Sequence, residues 1–222
     1  MKICVIVAHP DDVEISAFGT LKIFQEAGHE IFTVTMTKGN LQGSKRIEES
    51  KNALWEFINN YMNYEDSNLK ETCDLGIIEE INPDLVITHA ENDYHNDHKN
   101  LSKAVSNFCS FKFPVVYFDN FMGVNSSPKI FIDISKFKAD KKEAIMKHKS
   151  QNPERLVYAS FLLGEFRAAQ CGYRNKQFEC FDFNPRFPFM DVRDLMPKSA
   201  PIVNRKNFFL LSKKIKLHTQ KQ

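Results

Sequence analysis

No CxxC pair occurs among the five cysteines, Cys4, Cys73, Cys109, Cys171 and Cys180, and an odd, scattered set does not make a disulfide framework. A reducing compartment is therefore expected. An excess of charge of one sign is also lacking: 30 Lys+Arg stand against 28 Asp+Glu, a formal +2, too even for a chain whose main partner is a phosphate backbone. No nucleic acid is expected as a partner. No uncharged apolar run approaches the roughly 18–20 residues of a membrane span. The opening run, Ile3 to Ala8, reaches only six residues before His9-Pro10-Asp11-Asp12, too short and too charged for a secretory signal. These absences together predict a soluble, cytoplasmic protein, and no internal repeat or low-complexity block argues otherwise.

What is present suits one ordinary domain: 222 residues, 42% hydrophobic and 26% charged. The even charge hides an asymmetry. Seven basic residues and no acidic ones follow Asp194, so the last 28 residues carry +7 and the remainder −5. The Pro-containing basic stretch opening at Asn184-Pro185-Arg186-Phe187-Pro188 sets the expected division, residues 1–183 as the domain and 184–222 as an extension packed on it or trailing from it. Within the extension, Phe208-Phe209-Leu210-Leu211 precedes Lys213, Lys214 and Lys216. That mix predicts weak peripheral contact with an anionic membrane, unless the apolar residues pack on the domain.

Lys2 to Ala8 is a β-branched apolar run stopped by Pro10, the pattern of a strand buried on both faces. Ile15, Phe18, Leu21, Ile23, Phe24 and Ala27 then recur at helical spacing until Gly28, and His29 to Met36 resumes a strand. This is the size of a βαβ unit. Further along, Ser44–Asn60 and Leu69–Ile81 read as helices, Asp84–Thr88 as a strand, Ala90–Lys99 as a polar loop and Asn100–Phe108 as a helix. Val115–Phe118 and Ile130–Ile134 read as strands, and Ser135–Ser150 as a basic surface helix. The alternation predicts an α/β fold, a three-layer Rossmann-like sandwich with a mostly parallel sheet.

Ligands of such sheets sit beyond the carboxyl ends of the strands. Two of those ends carry unusual chemistry: His9-Pro10-Asp11-Asp12, and Asp93-Tyr94-His95-Asn96-Asp97-His98 after the Leu85–Thr88 strand. His and Asp are zinc ligands, and three of them leave a fourth position open for water. A tight turn can aim His9 and Asp12 at one ion, with His95 and His98 arriving from the second loop. Either motif alone reads equally well as a helix-capping carboxylate or a solvated His-rich loop. Two of them at neighbouring strand ends favour a site.

Ala8-His9-Pro10-Asp11-Asp12-Val13-Glu14 with Gly19-Thr20-Leu21 resembles the signature of the LmbE-like, PIG-L type family of zinc-dependent N-acetylglucosamine deacetylases. Thr37-Lys38-Gly39 with Arg46 and Glu49, Asn82 to His89, the Asp93-to-His98 loop, Lys147-His148 with Ser150-Gln151, and Phe178-Glu179 with Phe181 follow in the family's order. The resemblance implies His9, Asp12 and His98 as zinc ligands, another divalent transition metal being an open alternative. It implies Asp11 as general base and His95 as the group that steadies the oxyanion or hands a proton to the leaving amine. Arg46 and His148 are implied to contact the sugar. His89 reads as a second layer behind the ligands, together with Asp97, while Glu14 either orients His9 or Arg46 or favours the first helical turn. Asn96 stands where the family often has Pro, and Ala17-Phe18 precede Gly19 where a Gly is common.

The implied reaction is removal of the N-acetyl group from a small or lipid-linked GlcNAc-type conjugate, releasing acetate and a free amine. It would serve glycoconjugate, cell-surface sugar or low-molecular-weight thiol biosynthesis, with homo-oligomer formation left open. Two alternatives stand beside it: a phosphoacceptor, receiver-like switch using Asp11 and Asp12 as a Mg²⁺ pocket, and a catalytically inactive sugar-binding relative.

Overall fold

The computed structural model describes residues 1–39, 42–57, 59–65 and 69–185, all of which fall in the first of two compact units of the chain, Met1–Met190. Seven strands make one sheet: β1 (Lys2–Val7), β2 (Glu30–Thr37), β3 (Asn59–Glu65), β4 (Leu85–Thr88), β5 (Val115–Phe118), β6 (Ile130–Asp133) and β7 (Phe178–Phe183), in the order β3-β2-β1-β4-β5-β7-β6. β3, β2, β1, β4 and β5 run parallel, while β7 pairs antiparallel with β5 and β6 antiparallel with β7. This is the mostly parallel α/β sheet expected from the alternation of elements.

Both faces of β1 are buried, as its unbroken apolar run requires. Cys4, Ile6 and Ala8 share a cluster with Ile78 and Ile81 of α4 (Gly76–Ile81) and Leu101 and Val105 of α5 (Asn96–Cys109). Ile3, Val5 and Val7, equally buried, point to the opposite face by the two-residue period of a strand. On that side α1 (Asp12–Ser16) and α2 (Phe18–Glu26) pack with α6 (Lys138–Met146), and α1 and α6 with α7 (Pro153–Gln170).

Several element boundaries differ from those read in the sequence. The Ser44–Asn60 helix is α3 (Gly43–Ala53) alone; Trp55 beyond it is exposed and Phe57 buried, and the chain turns into β3, whose Asn-rich sequence masks a strand. Only the last six residues of Leu69–Ile81 are helical. The Ser135–Ser150 helix is split into a 3₁₀ turn at Ser135–Phe137, α6 and a second turn at Lys149–Gln151. α7 was not legible because its buried positions carry no large apolar residue, being Pro153, Ala159, Ser160, Gly164, Arg167 and Ala168, while Tyr158, Leu162 and Phe166 face outward. A Cβ on Gly164 would lie 2.9 Å from the Phe178 carbonyl, so the glycine sets how closely α7 approaches β7.

The domain reaches past 183: the buried Asn184 donates its N–H to the Val115 carbonyl at 3.1 Å. From Arg186 onward the expected extension lies outside the described residues.

Candidate active site

β1 and β4 are adjacent and parallel, with β2 on one side and β5 on the other, so their carboxyl ends meet where the strand order reverses. The two His/Asp motifs follow these two strands. The Ala8 N–H donates to His89 Nε2 at 3.0 Å and ties the strand ends together. Beyond Pro10 the chain turns through Asp11, whose φ of 139° is a conformation that non-glycine residues rarely hold. That turn sends Asp12 into the first turn of α1, where its Oδ2 accepts the His9 N–H at 2.7 Å.

The second motif is a helix start rather than a loop. α5 begins at Asn96, capped by His95, whose Nδ1 accepts the Asp97 N–H at 3.2 Å. The capping places Asp97 and His98 on a rigid first turn. With Nδ1 used as acceptor, the proton of neutral His95 resides on Nε2. Burial, followed by the neighbouring His98 and His9, lowers the pKa of His95 and keeps the ring neutral.

The ring nitrogens are oriented by carboxylates. His9 Nε2 lies 3.1 Å from Asp97 Oδ2, which leaves Nδ1 facing inward; His98 Nδ1 lies 3.1 Å from Asp93 Oδ2, which leaves Nε2 facing inward. The inward atoms, His9 Nδ1 and His98 Nε2, stand 3.2 Å apart, and each is 3.4 Å from a carboxylate oxygen of Asp12. For metal–ligand bonds of about 2.0–2.1 Å, the corners of a tetrahedron lie roughly 3.3 Å apart, so this donor set fits a zinc-sized ion. His98 belongs to two clusters of donor atoms, one with His9 and His95 and one with Asp12 and His89. Of these donors, His89 Nε2 already accepts the Ala8 N–H, which commits its lone pair.

The electrostatics of the cluster are set by its carboxylates and its burial. Burial opposes charge on His98, yet the Asp12 and Asp93 carboxylates outweigh it and lift its pKa to about 10. Burial works to raise Asp12, but the neighbouring imidazoles, His98 first, hold it well below the usual carboxylate range. His89, pushed down to about 4 by burial and by His98, is neutral. Asp11 moves the other way, to about 7, through burial and the adjacent Asp12 charge, against the pull of Arg46. Arg46 donates Nη2 to Asp11 Oδ1 and to the Pro10 carbonyl, both at 3.3 Å. Gly39, at φ 70°, makes room for that guanidinium: a Cβ there would lie 1.9 Å from Arg46 Nη1.

Residues 4–109 match the family profile of PIG-L, described as GlcNAc-PI de-N-acetylase. Over that span, just under half of the chain, the sequence is similar to the PIG-L family. The fold of this chain is similar to that of the N,N'-diacetylchitobiose deacetylase of Pyrococcus horikoshii, with a TM-score of 0.70 and 21% identity over 86% of this chain and 88% of that one. A deacetylase of the teicoplanin biosynthesis pathway superposes with a TM-score of 0.64 at 16% identity, over 83% and 99%. The 4-carboxy-2-hydroxymuconate hydratase of Pseudomonas putida superposes with a TM-score of 0.66 at 18% identity, over 86% and 98%. At such identities the likeness is one of fold. No curated protein sequence matches the chain.

His9, Asp11, Asp12, Arg46, His89, His95 and His98 all line one pocket of about 230 Å³, and Asp97 stands behind His9. His148 does not reach the pocket. It is fully buried, with Nε2 2.7 Å from Glu14 Oε1, so the expected sugar contact is replaced by a dyad inside the domain, and Glu14 pairs with His148 rather than with His9 or Arg46. Glu49 and Ser150, from the motifs flanking Arg46 and His148, are joined as well: Glu49 accepts the Ser150 N–H at 3.0 Å and its hydroxyl at 2.6 Å.

Asp93 opens the same motif as His98, and the sequence alone assigns it no separate role. Its carboxylate accepts the His95 N–H at 2.9 Å through Oδ1 while Oδ2 holds His98. Outer partners of metal-bound histidines are typically worth about 10–100-fold in affinity, so if this donor set holds zinc, Asp93→Ala should weaken its binding by that factor in a competition titration against a chelator. Unchanged affinity would show that His98 is held by its helix alone.

Proposed function

We propose that this chain is a zinc-dependent N-deacetylase that removes the acetyl group from a GlcNAc-type aminosugar conjugate, yielding acetate and the free amine. The observation that carries the reading is the division between the two adjacent carboxylates: Asp12 meets the inward nitrogens of His9 and His98, while Asp11 lies apart, against Arg46, with its pKa near 7. His9, Asp12 and His98 would hold the metal. Bound there, the ion lowers the pKa of water towards about 7 and polarises the acetyl carbonyl.

Asp11, buried and with a pKa near neutrality, takes the proton of the attacking water on a carboxylate oxygen. Arg46 keeps that carboxylate in place. His95, neutral with Nδ1 engaged by its helix, presents Nε2–H to the acetyl oxygen as negative charge builds there. Asp11 then returns its proton to the nitrogen of the leaving amine. A Mg²⁺ switch is less well supported, because imidazole nitrogens surround Asp12 and such donors suit zinc better than magnesium.

The test is acetate release by the zinc-loaded protein from a panel of N-acetylated aminosugar conjugates, beside an acetyl-lysine peptide. Acetate is expected from at least one sugar conjugate and not from the peptide, and a chelator should abolish it. Turnover of the peptide as fast as the best sugar would overturn the sugar assignment. Among the described residues no helix is long and apolar enough to cross a membrane. Membrane contact through the basic tail would be read by vesicle sedimentation of the full chain against a 1–194 truncation.

A further inference from the structure

Not every residue that lines the pocket is used by the deacetylation chemistry. Beside the His/Asp cluster and Arg46 stand Ile15, Ser16, Tyr94, Phe118, Phe121 and Leu156, and with them one further carboxylate, Asp119. Arg167 of α7 grips that carboxylate with both arms, Nε to Oδ2 at 2.7 Å and Nη2 to Oδ1 at 2.9 Å, and the Ser126 hydroxyl donates to Oδ1 as well. Both partners are nearly buried, with 5% of the Arg167 and 7% of the Asp119 side chain accessible.

A carboxylate offers about four acceptor positions, and three are filled, leaving one on Oδ2. Its charge is already matched by the guanidinium, so the wall does not recruit a cation. What the free position suits is an uncharged O–H donor. Aromatic and aliphatic walls that can cover the C–H faces of a ring, with one neutralised carboxylate among them, match a polyhydroxylated ring better than an acyl-lysine chain.

We infer that Asp119 accepts a hydrogen bond from a ring hydroxyl of the substrate and is a specificity-determining residue for a hexosamine ring. The inference rests on the sugar-deacetylase reading above. A purely structural Asp119–Arg167 pair would anchor α7 and be indifferent to which hydroxyls a ligand carries.

The experiment is calorimetric titration of glucosamine and its 3-, 4- and 6-deoxy counterparts into the full-length wild-type protein and Asp119→Asn, beside acetate release from the corresponding N-acetyl compounds. Hydrogen bonds to charged groups predict that one deoxy compound binds the wild type about 10- to 100-fold more weakly than glucosamine. For that compound alone, Asp119→Asn should bring no further loss. Because Asp119→Asn removes the charge that balances the buried Arg167, the double variant Asp119→Asn/Arg167→Met replaces it if it does not fold. Equal binding of all four sugars by the wild type, a deoxy penalty that persists undiminished in the variant, or no binding of glucosamine each overturns the inference. The expected deoxy pattern without acetate release would support the hydroxyl contact and overturn the deacetylase reading.

Discussion

Asp12→Ala should lose its zinc, whereas Asp11→Asn should keep close to one zinc per chain and lose turnover. Asp12 lies within 3.4 Å of the inward nitrogens of both His9 and His98, and removing it breaks the donor set. Asp11 touches Arg46 and the turn rather than those nitrogens. General base catalysis is typically worth about 10²–10⁴-fold, so Asp11→Asn should lower kcat by at least that factor. His98→Ala should follow Asp12→Ala, and His95→Ala should follow Asp11→Asn, since His95 is spent on capping α5 and on its Nε2–H. Metal analysis beside acetate-release rates separates the cases. If Asp11→Asn loses zinc while Asp12→Ala retains it, ligand and base are reversed; if neither affects zinc, the metal lies elsewhere.

Lys141→Met should cost about 3–5 kcal/mol of stability, the usual effect of stranding one member of a buried ion pair. Lys141 and Glu179 are each 2% exposed, and Lys141 Nζ lies 2.7 Å from Glu179 Oε1 and from the Ile15 carbonyl. The same carboxylate accepts the Gly19 N–H at 3.1 Å and the Thr20 N–H at 2.8 Å, amides at the start of α2 that the break after α1 leaves without helical partners. One carboxylate thus joins β7, α2 and α6. The added change Glu179→Gln should restore part of the loss, because an amide is less costly to bury alone than a charge. Urea unfolding of the single and double variants checks both statements; a loss below about 1 kcal/mol for Lys141→Met would mean that the two amides suffice to hold the carboxylate.

Local signals made much of this architecture legible. The unbroken run Ile3 to Ala8 marked a strand buried on both faces, and His9-Pro10-Asp11-Asp12 marked where it stops. The α5 boundary was misread because the first turn of a helix is polar when its free N–H groups are capped, and Asp93 to His98 reads as a loop for that reason. α7 was hidden for the opposite reason: apart from Arg167, its core side consists of small residues and Pro153, so the apolar periodicity points outward.

Residue types, the order of strand and helix, and the two His/Asp motifs at neighbouring strand ends were determined by the sequence itself, since each depends on neighbours a few positions apart. Which nitrogen of each imidazole faces inward was decided only in three dimensions, because Asp97 and Asp93 choose it by hydrogen bonds to His9 and His98. The burial of His148 against Glu14 was decided there too, as was the meeting of Asp119 and Arg167 at the pocket wall, since the partners lie 134 and 48 residues apart along the chain. Contacts at such separations carry no local periodicity; the sheet order brings them together.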